Sequence, residues 1–426
     1  MRGVDSHIIT FKKIATISGA ISLICCIFAG IKEKEMATNT IKKIFITLAF
    51  ALLALLPSRA GEARVSLLTC SPGEEIYELF GHTALRYCYE DRGWDIVFGY
   101  GYFSFSQPNF VWRFILGETD YMSGAVNYED FIEEYRERGA GVTEQQLNLD
   151  SLQTAQLLNA LLTDCRHPYN VYRYNYFYNN CTTKVRDRIL AVPGGGVTYT
   201  NGERNSTLRQ AIAQHTAGQP WSALGMDLLL GADIDTPASR HTLQFLPGYL
   251  MQDFATARTA NGTPLVTSEK QLLQPVIKDK AKNHFTPFNS ALLLLLFTMI
   301  TMLCEVRSRK HVWGCDIVLL LLQGLPGAML LFMSLFSQHP AVGNNYLLLL
   351  LNPLPLLLLP FVLHGAIKKK EMPFMWVEIA MVALFVVTAP FVPQHYPAPI
   401  YIFAVTIFAR SLFNIYRTRI CELNLY

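Results

Sequence analysis

Two residues in this chain have the types and settings that covalent catalysis needs. Cys181 stands in Tyr176-Phe-Tyr-Asn-Asn-Cys-Thr-Thr-Lys-Val-Arg186, and His82 stands in Leu79-Phe-Gly-His-Thr-Ala-Leu-Arg86. A cysteine nucleophile requires a lowered pKa and a base beside it. Asn179-Asn180 can cap a helix over Cys181 to Leu190, since Asn is a favoured cap residue. A thiolate in the first turn of that helix gains from unpaired backbone N–H groups and from the helix dipole. His82 follows Gly81 and opens the alternating, β-rich stretch Thr83 to Tyr89, so its ring projects from a strand edge. Together they make a thiol nucleophile and its base, a pair suited to acyl transfer.

A third group should orient the histidine. Asp95, Tyr100 and Asn180 are the candidates. Arg86 alternates onto the strand face of His82 and could meet a phosphate or a carboxylate. Bland readings stand beside these. A lone His is ordinarily a structural or exposed residue, Cys181 could be a disulfide partner, and Arg86 could be a solvated strand charge. The other histidines between residues 61 and 285, His167, His215, His241 and His284, lie in loop-like or surface-like contexts. No His, Cys and carboxylate cluster has metal-ligand spacing, so neither a metal nor another cofactor is expected. Of Cys70, Cys88, Cys165 and Cys181, the first two flank the strand region and could pair, but four cysteines allow three pairings.

The elements that must hold these residues read as α+β. Val65 to Cys70 is a short strand ended by Ser71-Pro72-Gly73, and Trp94 to Phe105 supplies one or two more. Tyr128 to Arg138 and Ser151 to Cys165 carry helical periodicity, with Asp150-Ser151 and Gln153 marking a start. Pro193-Gly-Gly-Gly196 ends the Cys181 helix. Residues 206–257 look helical, and there are no internal repeats.

The charged fraction of 16% hides a strong split. The middle of the 426-residue chain is an ordinary soluble mixture, and the last third is nearly continuous Leu, Phe, Val and Met. The net charge of +3, with no basic patch interleaved with aromatics, gives no sign of nucleic-acid binding. Five spans are expected, at 288–306, 312–336, 346–364, 374–392 and 398–416. Basic clusters fall at Arg307-Ser-Arg-Lys310, Lys368-Lys-Lys370 and Arg417-Thr-Arg419, while the alternate loops Ser337 to Asn345 and Pro393 to Pro399 carry no Lys or Arg. Cationic loops stay in the cytoplasm, which places residues 61–285 outside it and the C-terminus inside. Asp316 and Glu378 fall near cytoplasmic ends of spans, where such side chains ordinarily reach the headgroups. His339-Pro-Ala-Val-Gly-Asn-Asn345 either faces the soluble domain or is a simple turn. Ahead of the domain, residues 36–60 read as a signal peptide with a basic flank, a short apolar core and Pro57-Ser-Arg-Ala60. Residues 1–35 then read as an extension ahead of a start at Met36, the alternative being an extra anchor.

Several runs resemble the Lnb family of lipoprotein N-acyltransferases. Gly73-x-Glu75, Phe80-Gly-His-Thr-Ala-Leu-Arg86, Val97-Phe-Gly-Tyr-Gly101 and Pro108-Asn-Phe110 are similar to its N-terminal periplasmic domain. So are Tyr174-Asn-Tyr-Phe-Tyr-Asn-Asn-Cys-Thr-Thr-Lys-Val-Arg-Asp187 and Leu246-Pro-Gly-Tyr-Leu250, while Asn345 to Leu354 is similar to its membrane portion. The resemblance implies a circularly permuted papain-like (NlpC-type) fold with His before Cys. It further implies acyl transfer onto the amino group of a lipoprotein's N-terminal lipidated cysteine, with the lipoprotein and membrane phospholipid as partners. The chain has Gly99 where the resemblance leads one to expect a polar residue, and Asn179 where an acidic one is common. Both departures bear on the third catalytic group. The expected enzyme sits in the inner membrane, with Cys181 and His82 catalytic in a periplasmic domain over 61–285 and a membrane domain over 286–426. Two alternatives are a membrane-tethered cysteine peptidase or amidase acting on cell-wall peptide, and a non-catalytic scaffold in which Cys181 is structural.

Overall fold

The computed structural model describes residues 47, 62–106, 108–192, 197–276, 285–368 and 373–422. The expected signal peptide and the stretch before it lie outside these residues, Thr47 excepted, as do residues 193–196, 369–370 and His284.

Strands β1 (Arg64–Cys70), β2 (His82–Tyr89) and β3 (Trp94–Tyr102) open the soluble part, followed by a short helix, α1 (Phe110–Leu116). Then come β4 (Asp120–Asn127), α2 (Tyr128–Glu137), β5 (Val142–Leu147), α3 (Ser151–Asp164) and β6 (Val171–Arg173). Helix α4 (Cys181–Ala191) is followed by β7 (Thr198–Tyr199), α5 (Leu208–Thr216), α6 (Pro220–Leu229), α7 (Arg240–Leu243) and α8 (Pro247–Thr256). Strands β8 (Ala257–Arg258) and β9 (Val266–Leu273) complete it. Seven strands form one antiparallel sheet in the order β6-β4-β3-β2-β1-β5-β9.

Period-two alternation sends successive side chains to opposite faces of this sheet. Leu67, Leu85, Tyr87, Phe98 and Tyr100 point one way and pack on Leu157, Leu161, Val185, Ile189, Leu250 and Phe254 of α3, α4 and α8. Leu68, Cys70, Ala84 and Val97 point the other way, onto Phe131, Ile132 and Tyr135 of α2. Trp94 to Tyr102 forms one strand, not two. Strands β4, β5 and β9 and helix α1 lie where no element was expected. Ser123 and Gly124 give β4 little strand propensity; it forms because β3 offers a ladder from Ile96↔Asn127 to Tyr102↔Met122.

The membrane part comprises α9 (Pro287–Ser308), α10 (Trp313–Phe336), α11 (Leu354–Lys368), α12 (Phe374–Thr388) and α13 (Ala398–Glu422). Four segments are long and apolar enough to cross a membrane: Pro287–Ser308, Trp313–Phe336, Tyr346–Gly365 and Ala398–Arg419. The fourth expected span, 374–392, is a helix only to Thr388. Ala389 is still helical and donates to Phe385 C=O, but Pro390 has no N–H to continue the ladder, so the helix ends there.

Asp316 and Glu378 do not reach the headgroups. Both are buried in the bundle, because each has partners there. Asp316 accepts bonds of 2.7 and 2.8 Å from Arg410 and 2.7 Å from Asn414, and lies 2.9 Å from His311. Glu378 accepts from Gln323 at 2.8 Å.

The run from Ser337 to Asn345 is no simple turn but the seat of the soluble domain. Gly231 N–H donates to Ala341 C=O and Ala232 N–H to Asn344 C=O, both at 2.8 Å. Asn345 Nδ2 donates to Leu228 C=O at 2.7 Å, and Asn344 Nδ2 to Asp233 at 2.9 Å.

Candidate active site

Asn180 folds the helix that carries Cys181. Its Oδ1 accepts from Thr182 N–H at 2.9 Å and Thr183 N–H at 2.8 Å, while Thr183 Oγ1 accepts from Asn180 N–H at 2.8 Å. This reciprocal capping box fixes the entry to α4. Its Nδ2 donates to Tyr176 C=O at 3.0 Å and Phe245 C=O at 2.8 Å. The side chain is therefore fully occupied as a cap. Two of the first N–H groups of α4 are consequently not free for a substrate, contrary to the simple picture of an open helix start. The N–H of Cys181 itself has no backbone acceptor among the described residues.

Cys181 lies beside His82, which opens β2 opposite Cys70, and both line one cavity. Burial pushes the Cys181 thiol up. The charge of His82 and hydrogen bonds from His82, Thr182 and the Thr83 backbone push it down further, leaving it below the ordinary thiol value. Thr83 and Thr182 lie 3.1 Å apart through their hydroxyls and tie β2 to the first turn of α4. Gly101, at φ +91°, lies against Cys181: a side chain there would bring its Cβ to 3.5 Å from Cys181 Cβ. Glycine supplies the left-handed backbone.

The other candidate residues lie elsewhere. Asp95 is opposite Cys88 on β3 and grips Arg86 with two bonds of 2.7 Å. Arg86 also reaches Glu144 at 3.1 Å and lies 3.4 Å over the Tyr128 ring. The carboxylates that Arg86 meets are thus the chain's own. Tyr100 points to the opposite sheet face from its neighbour Gly99 and donates its hydroxyl to Asp164 at 2.6 Å. The absence of a side chain at Gly99 is filled by Tyr102, whose hydroxyl lies 2.7 Å from where a Cβ would stand. Burial pushes the Tyr102 hydroxyl up to about 12, so it remains a neutral donor. Asn179 donates to Arg173 C=O at 2.7 Å. His215 and His241 lie on α5 and α7 rather than in loops.

Cys70 and Cys88 cannot pair. One is opposite His82 and the other opposite Arg64, at opposite ends of the β1–β2 ladder. Cys70, Cys88, Cys165, Cys181, Cys304 and Cys315 are all free thiols. Burial pushes the Cys70 thiol well up, so it stays protonated beside Cys181. Among the described residues no three His, Cys, Asp or Glu side chains are placed to hold a metal ion.

Cys181 and His82 open into a cavity of about 510 Å³. Its wall includes Ile76, Tyr77, Phe103, Phe114, Met226 and Phe245, and Met333, Ala341 and Val342 from the membrane part close it. That volume lies within the roughly 300–1,000 Å³ of ligand sites. Tyr176 lines it too, and its buried hydroxyl has no hydrogen-bond partner among the described residues. Sequence reasoning missed Gly101, Tyr102 and Tyr176 as site residues; the aromatic density around Cys181 was their one visible signal.

The described residues define a membrane-anchored protein whose extracytoplasmic α+β domain sets a cysteine–histidine pair in an apolar cavity. Residues 58–214 match the Lnb N-terminal periplasmic domain, and residues 279–420 match the Lnb transmembrane domain. The chain belongs to the Lnb family and is a membrane-associated lipoprotein-modifying enzyme. It is an inner-membrane protein with a periplasmic catalytic domain. No curated protein and no solved structure matches it.

Proposed function

We propose that this protein transfers a fatty acyl chain to the N-terminal amine of a lipidated cysteine on bacterial lipoproteins, through a thioester on Cys181. The supporting observation is a thiol and an imidazole side by side on the wall of an apolar cavity that the membrane part helps to close. The arrangement fits a permuted papain-like site, with His82 on β2 ahead of Cys181 on α4.

In the first step His82 takes the thiol proton and the thiolate attacks the ester carbonyl of a lipid. The S–C bond forms, the ester C–O bond breaks, and His82 gives its proton to the leaving alkoxide. In the second step the lipoprotein's α-amine attacks the thioester. An amide bond forms, the C–S bond breaks, and the proton from the amine passes through His82 back to sulfur. The Cys181 N–H and the Tyr176 hydroxyl, which lack partners among the described residues, are the donors assigned here to the oxyanion. A cell-wall peptidase would need a wet, polar groove, and the apolar lining favours the lipid.

A mass spectrum of the N-terminal lipopeptide of one lipoprotein tests the reading, from cells carrying the wild type or Cys181→Ala. Loss of the N-acyl mass, with the variant still in the membrane, is expected. Unchanged N-acylation overturns it.

A further inference from the structure

We infer that the cavity is filled sideways from the outer leaflet of the inner membrane, through a mouth between the Ile76–Tyr77 turn and α1. The occupant of that mouth is one acyl chain of a diacyl lipid. The inference rests on the acyl-transfer reading above and adds the route by which the chain arrives.

Four observations carry it. First, α1 exposes apolar side chains that a soluble surface would bury. Val111 is 68% exposed and Trp112 53%, and across the mouth Ile76 is 62% exposed and Tyr77 56%. Contiguous apolar exposure of this kind marks an interaction surface.

Second, α1 is fixed at the depth where α10 leaves the membrane. The last three carbonyls of α1 are occupied by the loop that follows α10. Phe114 C=O lies 2.8 Å from His339 Nε2, Ile115 C=O accepts from Ser337 Oγ at 2.7 Å, and Leu116 C=O accepts from Gln338 N–H at 2.8 Å. The Trp112 ring packs 5.2 Å from Phe332 on α10 itself. A short helix held beside the outer end of a span, with its apolar side uncovered, lies in the lipid interface.

Third, a second tryptophan marks the same level. Trp221 of α6 donates to Phe285 C=O at 2.8 Å, just before α9 begins. Tryptophans concentrate at this depth because the ring is apolar and its N–H is polar.

Fourth, the mouth and the site are one space. Ile76, Tyr77 and Phe114 line the cavity that also holds His82 and Cys181. An acyl chain can pass from bilayer to thiol without crossing water. Val111 and Trp112 do not line that cavity; they face outward and hold its mouth against lipid.

The test uses the full chain in nanodiscs of phospholipid doped with a phospholipid bearing a diazirine in one acyl chain. Irradiation is expected to label the Ile76–Tyr77 turn and α1 besides the spans. Val111→Asp is then expected to slow acylation of Cys181 by bilayer lipid about tenfold or more, since it removes an apolar contact and puts a charge among lipids. Iodoacetamide alkylation of Cys181 in the same variant reports that the site is folded. Labels confined to the spans overturn the inference, as does a Val111→Asp protein acylated at the wild-type rate. Crosslinked dimers through α1 overturn it too and assign the patch to a second copy. Failure of the acyl-transfer reading looks different: wild-type Cys181 then carries no acyl chain at all.

Discussion

Replacing Asn180 distinguishes a structural cap from a third catalytic group. In Asn180→Ala four hydrogen bonds vanish together: two accepted from Thr182 and Thr183 N–H, and two donated to Tyr176 and Phe245 C=O. The residue is buried, so water does not replace them freely. At about 1 kcal/mol each the loss is about 4 kcal/mol, of which the two cap bonds account for about half. Asn180→Ser keeps a good cap acceptor and loses the two donors, so about half of that loss, ~2 kcal/mol, is expected. Hydrogen exchange at the Thr182 and Thr183 amides, in the full chain in detergent, reads this locally. Exchange in the alanine variant should accelerate by two to three orders of magnitude, at about 1.4 kcal/mol per tenfold, with the serine variant much less affected. Normal protection and normal stability in Asn180→Ala, combined with lost N-acylation, would refute the argument and make Asn180 a direct participant in the chemistry.

Other expectations follow from the same geometry. His82→Asn removes the charge and the hydrogen bond that hold the Cys181 thiol down, leaving burial to raise it. The midpoint of its alkylation profile should therefore move to higher pH, with alkylation near pH 7 about tenfold slower or more; an unshifted profile would show that His82 does not set thiol reactivity. Arg86→Met strands Asp95 and Glu144, so unfolding in denaturant should show a loss of about 1–3 kcal/mol while Cys181 alkylation keeps its rate. Altered alkylation in a stable variant would give Arg86 a place in the site after all. Gly231→Val forces a Cβ to within 2.6 Å of Asn344 C=O, so the Ser337 to Asn345 run should lose its seat. Faster exchange of the Gly231 and Ala232 amides checks this, and unchanged protection would mean the backbone can yield there.

What was legible in the sequence was local. Asn180 ahead of Cys181 announced a helix start, alternation after His82 announced a strand, and apolar length with basic clusters gave the spans and their orientation. The structure's unannounced strands are those that local preference does not favour. Gln145 on β5 is a buried amide, tolerated because it donates to Met251 C=O at 3.0 Å and Glu269 at 2.8 Å. β9 is largely exposed along its length and exists as an edge paired to β5. Asp95, Tyr100 and Arg86 were candidates by residue type alone. Sequence spacing gave no sign that Asp95 and Arg86 would spend their charges on each other, or that Tyr100 would face Asp164.

By itself the sequence determined the chemistry available: a thiol at a capped helix start, an imidazole at a strand start, and apolar segments that hold the chain in a membrane. These are fixed by neighbours within a few residues, where backbone geometry and side-chain type act directly. Tertiary structure decided what that chemistry can reach. The 98 residues between His82 and Cys181 are closed by antiparallel pairing and by α4 packing on the sheet. The cavity is closed on one side by a loop between two membrane helices that seats against the soluble domain. Contacts between distant segments set those distances, and no local pattern encodes them.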